Sequence, residues 1–198
     1  PVMTSGTREA ALLAEWARNK ADAKLDFNID PLGALARTGM LAGGLDGAFA
    51  EAGLLGKVLV AKYPAANLFR IDARAVHEAG GSEAQELAAL IASAVDTLRR
   101  LAPHMDIATA AAKTTFCLAR DANYGIGVAK LRAARKMWHH LLSTRYGITD
   151  ERALRMRIHI VTSGAAMTYQ QPFNNIVRGT LMALSAVLGG TQSLGVSG

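Results

Sequence analysis

Hydrophobic positions along this chain change period from one segment to the next, and the changes predict its elements. Between Arg155 and Gly164, Met156, Ile158 and Ile160 alternate with Arg157, His159 and Val161, the period-2 pattern of a strand. One face of that strand is aliphatic; the other carries a guanidinium and an imidazole. Ser163 and Gly164 end it, and Pro172 opens an apolar helix to residue 188 that Gly189-Gly190 stops. Phe173, Ile176, Val177, Thr180, Leu181, Leu184 and Leu188 run along this helix.

The same reading extends to the rest of the chain. Residues 1–24 contain an amphipathic helix with Ala11, Leu12, Glu15 and Trp16 near its middle. Asp26–Asp30 reads as a short strand cut off by Pro31, which cannot donate to a ladder. Gly39, Gly43, Gly44 and Gly47 mark turns before a helix over 46–63 that stops ahead of Pro64. Asn67–Ala73 is a second strand, with Phe69 and Ile71 on one face. Ser82 with Gln85 is a capping box for a helix whose stripe is Leu87, Leu90, Ile91, Ala94 and Leu98. Thr114–Ala119 is a third strand, and 124–146 a helix with Leu131, Ala134, Trp138, Leu141 and Leu142 on one side. Thr191–Val196 is a last strand.

Strands alternating with helices imply an α/β fold with a parallel sheet. Helices flanking the Arg155 strand favour a (β/α)8 TIM-type barrel, its aliphatic face against helices and its polar face toward a ligand. The alternative for that strand alone is an antiparallel strand with one face in water. About five βα units are legible, too few to close eight strands, so residues 1–198 are expected to form one partial barrel domain: most of a barrel lacking its first strands, or a fragment or ordered core of a longer protein. With 51% hydrophobic residues the chain has material for a real core, and no apolar run approaches the roughly 18 residues of a membrane span. No secretory signal is visible, and the lone Cys117 suits a reducing, cytoplasmic setting. The net charge of +6 favours anionic partners: a phosphate-bearing cofactor, an acyl carrier, or nucleic acid. Aromatics are 6% and not interleaved with the basic residues, which argues against nucleic acid.

Candidate chemistry is sparse. Arg157 and His159 share the inward face of their strand, where they would meet an anionic or carbonyl-bearing ligand or be held by neighbouring carboxylates. His77, beside Glu78 and ahead of Gly80-Gly81, is either a catalyst or a loop histidine. The run Lys130–Lys136 reads as the solvated face of a helix or as a grip on phosphates. His139 and His140 are adjacent and point about 100° apart on a helix, a poor metal pair. His104 is isolated. Spacing alone supports no triad, no paired-carboxylate site and no cysteine nucleophile.

Longer motifs go further. Ile126–Trp138 (IGVAKLRAARKMW), Arg157–Gly164 (RIHIVTSG), Gln171–Leu194 (QPFNNIVRGTLMALSAVLGGTQSL) and the segment 71–81 resemble, in order and spacing, the substrate barrel of the adenosylcobalamin-dependent acyl-CoA mutases, the methylmalonyl-CoA mutase family. The opening third, with Asp30–Leu35, is similar to the family's small, non-catalytic subunits. The resemblance implies a barrel threaded by coenzyme A, an adenosylcobalamin held against it by a separate domain or chain, and a radical rearrangement of an acyl-CoA. It implies His159 and His77 as catalytic candidates, and Arg157, Thr115, Asn123, Gln192, Ser193 and Arg74 as substrate contacts. It also implies pairing with a cobalamin-binding domain or a catalytic subunit, as a homo- or hetero-dimer.

The chain departs from the family pattern at telling positions. The Tyr-His pair that precedes Glu-Ala-Gly in catalytic members is Arg74-Ala75, and His77 lies two residues further on, within reach of the same face if the segment is extended. Val161 stands for a glutamine, Thr115 for a serine near Lys113, and Gly195 for a histidine after Thr-Gln-Ser-Leu. No cobalamin domain and no Asp-x-His-x-x-Gly motif are seen. Two readings follow: the acyl-CoA-binding part of a working mutase, or a non-catalytic structural subunit that pairs with the active one.

Overall fold

The computed structural model describes residues 7–19 and 24–196. Their elements run α1 (Thr7–Trp16), β1 (Asp26–Ile29), α2 (Pro31–Thr38), α3 (Gly44–Lys62), β2 (Asn67–Asp72), α4 (Arg74–Glu78), α5 (Glu83–Leu101) and α6 (Ile107–Ala112). There follow β3 (Thr114–Arg120), α7 (Tyr124–His140), α8 (Glu151–Leu154), β4 (Arg157–Thr162), α9 (Asn174–Leu188) and β5 (Ser193–Gly195). The strands are neighbours in the order β1-β2-β3-β4-β5, with β1/β2 and β4/β5 parallel. Sequential order without reversal is that of a strand–helix repeat wound in one direction, as in βα barrels; a doubly wound sheet reverses at a switch point.

The chain divides into two compact units. In the first, which takes the described residues up to Ile71 with 93–115 and 148–154, α1 and α2 pack on α3. The Tyr63 hydroxyl donates to the Ala14 carbonyl at 2.8 Å, and its ring lies 5.7 Å from that of Phe27. Gly56 admits Phe69 and Met105 to a distance that any Cβ would forbid. In the second unit, which takes the described residues of 72–92, 116–147 and 155–196, α7 packs against α9. Phe116 and Trp138, both buried, meet edge to face at 4.8 Å, an arrangement worth about 0.5–1.5 kcal/mol beyond burial.

Each expected strand is present, and the capping box closes as read: Ser82 N–H donates to Gln85 Oε1 at 2.8 Å, and Gln85 N–H to Ser82 Oγ at 3.3 Å. The differences have local causes. The helix expected within 1–24 is α1, and the parts of that range at 1–6 and 20–23 lie outside the described residues. Pro31 does more than end β1. It starts α2, because Asp30 caps the Gly33 amide at 2.8 Å and a proline at the first helical position loses no needed donor. Gly39 and Gly43 take positive φ as turn residues, but Gly44, also at positive φ, is the first residue of α3, and Gly47 lies inside that helix. The helix after Pro172 begins at Asn174, and the 124–146 helix changes to a π turn over Leu141–Arg145.

Segment 74–81 is not extended, as placing His77 and the Arg74-Ala75 positions on one face required; it is the short helix α4, Arg74–Glu78, and its closing turn. Nor is Lys130 part of a solvated basic face. It is buried, while Arg132 and Lys136 of the same run are exposed. Helix α9 is apolar on more than one side. Gly179, Met182, Ser185 and Ala186 are buried, whereas Ile176, Val177, Leu184, Val187 and Leu188 are largely exposed. A helix hydrophobic all round is normally covered by protein.

Candidate functional site

The polar face of β4 is the first candidate. Burial alternates along it as the period-2 pattern predicts: Ile158, Ile160 and Thr162 are buried, and Arg157, His159 and Val161 half-buried. Strand β5 lies alongside with His159 opposite Ser193, and His159 Nδ1 and Ser193 Oγ are 2.8 Å apart. Gln192 is held by both groups of one residue: Ile158 N–H donates to Gln192 Oε1 at 2.8 Å, and Gln192 N–H donates to the Ile158 carbonyl at 3.0 Å. The β4–β5 pair thus joins His159, Ser193 and Gln192, and Arg157 lies two residues from His159 on the same face.

The other expected residues fall elsewhere. Arg74 grips Asp72 bidentately, Nε to Oδ1 at 2.9 Å and Nη2 to Oδ2 at 2.7 Å, and this pairing raises its pKa. Asn123 precedes α7 with its side chain exposed, and its carbonyl accepts from Arg120 Nη2 at 2.6 Å. Thr115 lies in the first unit, its hydroxyl donating to the Phe69 carbonyl at 3.3 Å.

His77 enters a buried ionic cluster that spacing did not reveal. The Lys130 ammonium donates to the carboxylates of Glu83 and Glu86 and, at 2.9 Å, to the Ala119 carbonyl. Glu86, fully buried, also accepts the Ala119 N–H at 2.7 Å. The guanidinium of Arg120, equally buried, donates to Glu83 Oε1 at 2.9 Å, to Ser185 Oγ at 3.0 Å and to Asp121 Oδ1 at 3.1 Å. Gly127 makes room for it, since a Cβ there would stand 2.0 Å from Cζ. His77 Nδ1 comes to 3.2 Å of Glu86 Oε2, close in charge terms but off the line of a hydrogen bond. The Glu86 carboxylate raises the imidazole pKa; burial and then Lys130 oppose that shift. The pairing with Glu86 at 3.2 Å is the largest cause of the rise, ahead of the opposing effect of burial.

A signal for this cluster was present in the sequence. Glu86 falls in phase with the buried Leu90, Ala94 and Leu98, and Lys130 in phase with Gly127, Leu131, Ala134 and Trp138. A carboxylate and an ammonium on the core stripes of two helices must be buried, and buried charges are paired.

Fold and site together define an α/β protein of wound strand–helix units with a polar strand pair on one unit. Comparison with known proteins gives the particular group. The family model for methylmalonyl-CoA mutase matches residues 23–198. Methylmalonyl-CoA mutase small subunit of Streptomyces virginiae is 35% identical over 194 residues, 97% of this chain and 30% of that protein. Methylmalonyl-CoA mutases of Cereibacter sphaeroides and Homo sapiens are 38% and 36% identical over 132 residues, 66% of this chain and 18% of each of those proteins. The chain belongs to the methylmalonyl-CoA mutase family. It spans less than a third of the length of these relatives.

Proposed function

We propose that the chain is part of a small-subunit-type component of a cobalamin-dependent acyl-CoA mutase, which pairs with a catalytic subunit and does not turn over substrate alone. The observation that carries this reading is the state of the two positions matching the catalytic Tyr-His pair. Arg74 is spent on Asp72, and Ala75 has no polar group to offer. The nearby imidazole of His77 faces Glu86 instead. In this reading the segment presents no imidazole to a thioester carbonyl. The extent of the matches supports it too: the small subunit aligns along nearly the whole chain, and the two mutases along two thirds.

The same reading makes the sheet five strands of a (β/α)8 barrel, residues 1–198 one partial barrel domain, and the protein cytoplasmic; among the described residues no helix is long and apolar enough to cross a membrane. Adenosylcobalamin supplies the radical in such mutases, and the imidazoles here do not fit as its cobalt ligand. His77 faces Glu86, His159 meets Ser193, His104 packs on Gly53, and His139 and His140 diverge on the exposed side of α7. A partner domain or chain would carry the cobalamin.

One observation favours the other reading, a substrate-binding part of a working mutase. Arg157, His159 and Ser193 on the half-open β4–β5 face offer donors suited to the phosphates and thioester carbonyl of an acyl-CoA. Calorimetry with a coenzyme A ester separates the two. The isolated chain is expected to bind weakly or not at all, and to bind once co-expressed with a catalytic subunit of the family. Submicromolar binding by the isolated chain would overturn the proposal.

A further inference from the structure

The set His77, Glu83 and Glu86 has ligand atoms within 4.8 Å of one another, a span that suits a divalent cation. The position is already taken, because the Lys130 ammonium is bonded to both carboxylates and anchored on the Ala119 carbonyl. His77 is left as the member of the cluster whose state can change. Its ring is more than nine-tenths buried, and Nδ1 faces the Glu86 carboxylate with no aligned hydrogen bond. A neutral ring gains little there, whereas an imidazolium gains the attraction of a charge 3.2 Å away.

Helix α4 depends on that ring. It has five residues, no side-chain cap at its N-terminus, and His77 as its buried residue. A helix this short has no stability of its own and stays where tertiary contacts hold it. Its first turn is tied to β2 through the Arg74 N–H and Asp72 Oδ1 at 3.1 Å. Its last turn is tied by His77 and, outside the core, by Glu78 Oε2, which accepts the Ala165 N–H at 3.2 Å in the turn after β4. We infer that His77 is a proton-operated latch: the imidazolium holds the C-terminal half of α4 on the Glu86–Lys130 cluster, and so keeps Glu78 against the turn that follows β4.

The surrounding charges favour the protonated form. Facing the ring are Glu83 and Glu86 from α5 and Lys130 from α7, with Arg120 and Asp121 behind them at the end of β3. On and beside its own element are Asp72, Arg74 and Glu78. These carboxylates outnumber the cations Arg74, Arg120 and Lys130, so a proton on His77 moves the group toward balance. The upward pKa shift has the same sense. The latch concerns folding of the α4 loop and stands whether or not the chain binds an acyl-CoA.

The test is hydrogen exchange and imidazole NMR on the full chain. Ala79, Gly80 and Gly81 donate within α4 and its closing turn to Ala75, His77 and Val76, and Gly127 donates to Asn123 in α7 as a reference. Between about pH 6 and about pH 8.5 the protection factors of the first three are expected to fall about tenfold, following the His77 titration, while Gly127 is unchanged. His77→Gln is expected to show the low protection at both pH values. Protection at 79–81 that ignores pH, or a His77 ring that titrates below 6.5, overturns the latch. Both readings come from the unmutated protein, so a variant that fails to fold does not decide the matter.

Discussion

Both backbone groups of Ala119, near the end of β3, are bonded by side chains of the ionic cluster: its N–H donates to Glu86 at 2.7 Å and its C=O accepts from Lys130 at 2.9 Å. Peptide groups near a strand end that no neighbouring strand bonds must be satisfied in another way or hydrated. Here a helix-borne carboxylate and ammonium do it, and they neutralise each other in the act. The buried charges therefore complete the sheet as well as the ion pair.

Removing one partner should then be costly. Lys130→Met leaves Glu86 buried without its cation and the Ala119 carbonyl without a donor. The expected loss is about 3–5 kcal/mol of unfolding free energy by urea denaturation. A loss under about 1 kcal/mol would show the cluster to be far more hydrated than its burial implies.

Two glycines of α7 make an internal comparison. A Cβ at Gly127 would stand 2.0 Å from the buried Arg120 guanidinium, whereas nothing lies within 4 Å of one at Gly125. Gly127→Ala should cost about 1–3 kcal/mol, and Gly125→Ala should be neutral or stabilising by up to about 1 kcal/mol. Equal thermal midpoints for the two variants would refute the close approach.

Stability should depend on pH through His77 with a definite sign. Its folded pKa is raised, so its contribution is whole below the ordinary imidazole value of 6.5 and disappears as pH climbs through the raised one. The urea midpoints of the natural chain and His77→Gln should accordingly converge as pH rises. Convergence on acidification instead would reverse the assignment.

Restoring a histidine at the family position should not restore chemistry. Ala75→His places an imidazole beside an Arg74 that remains bound to Asp72, in a chain expected to lack its cobalamin-bearing partner. Turnover of an acyl-CoA by that variant with added cobalamin would count against the small-subunit reading.

Most of the fold was legible because its strands and long helices carry clean periods. The β4 pattern predicted which residues are buried, and the Ser82–Gln85 box predicted where α5 begins. Short helices were not legible. α4 and α6 have too few residues for a period, and α2 depends on a single Asp30 cap. Among the site residues, the family resemblance named His159 and Ser193 separately, and the β4–β5 register that sets them opposite each other came only with the structure. The cluster was missed because its members come from α4, α5, β3 and α7, and a basic run of mostly exposed residues concealed that Lys130 faces inward. Phase within each helix, not charge count, was the informative quantity.

The outward side of α9 has a thermodynamic corollary. Ile176, Leu184 and Val187 border a groove of about 680 Å³ with Gly179 and Val196. Whatever covers such a surface binds the folded chain and not the unfolded one, so it adds stability by mass action. If the proposed subunit pairing covers it, the melting temperature of this polypeptide depends on stoichiometry as much as on sequence, and the isolated chain melts lower than the pair.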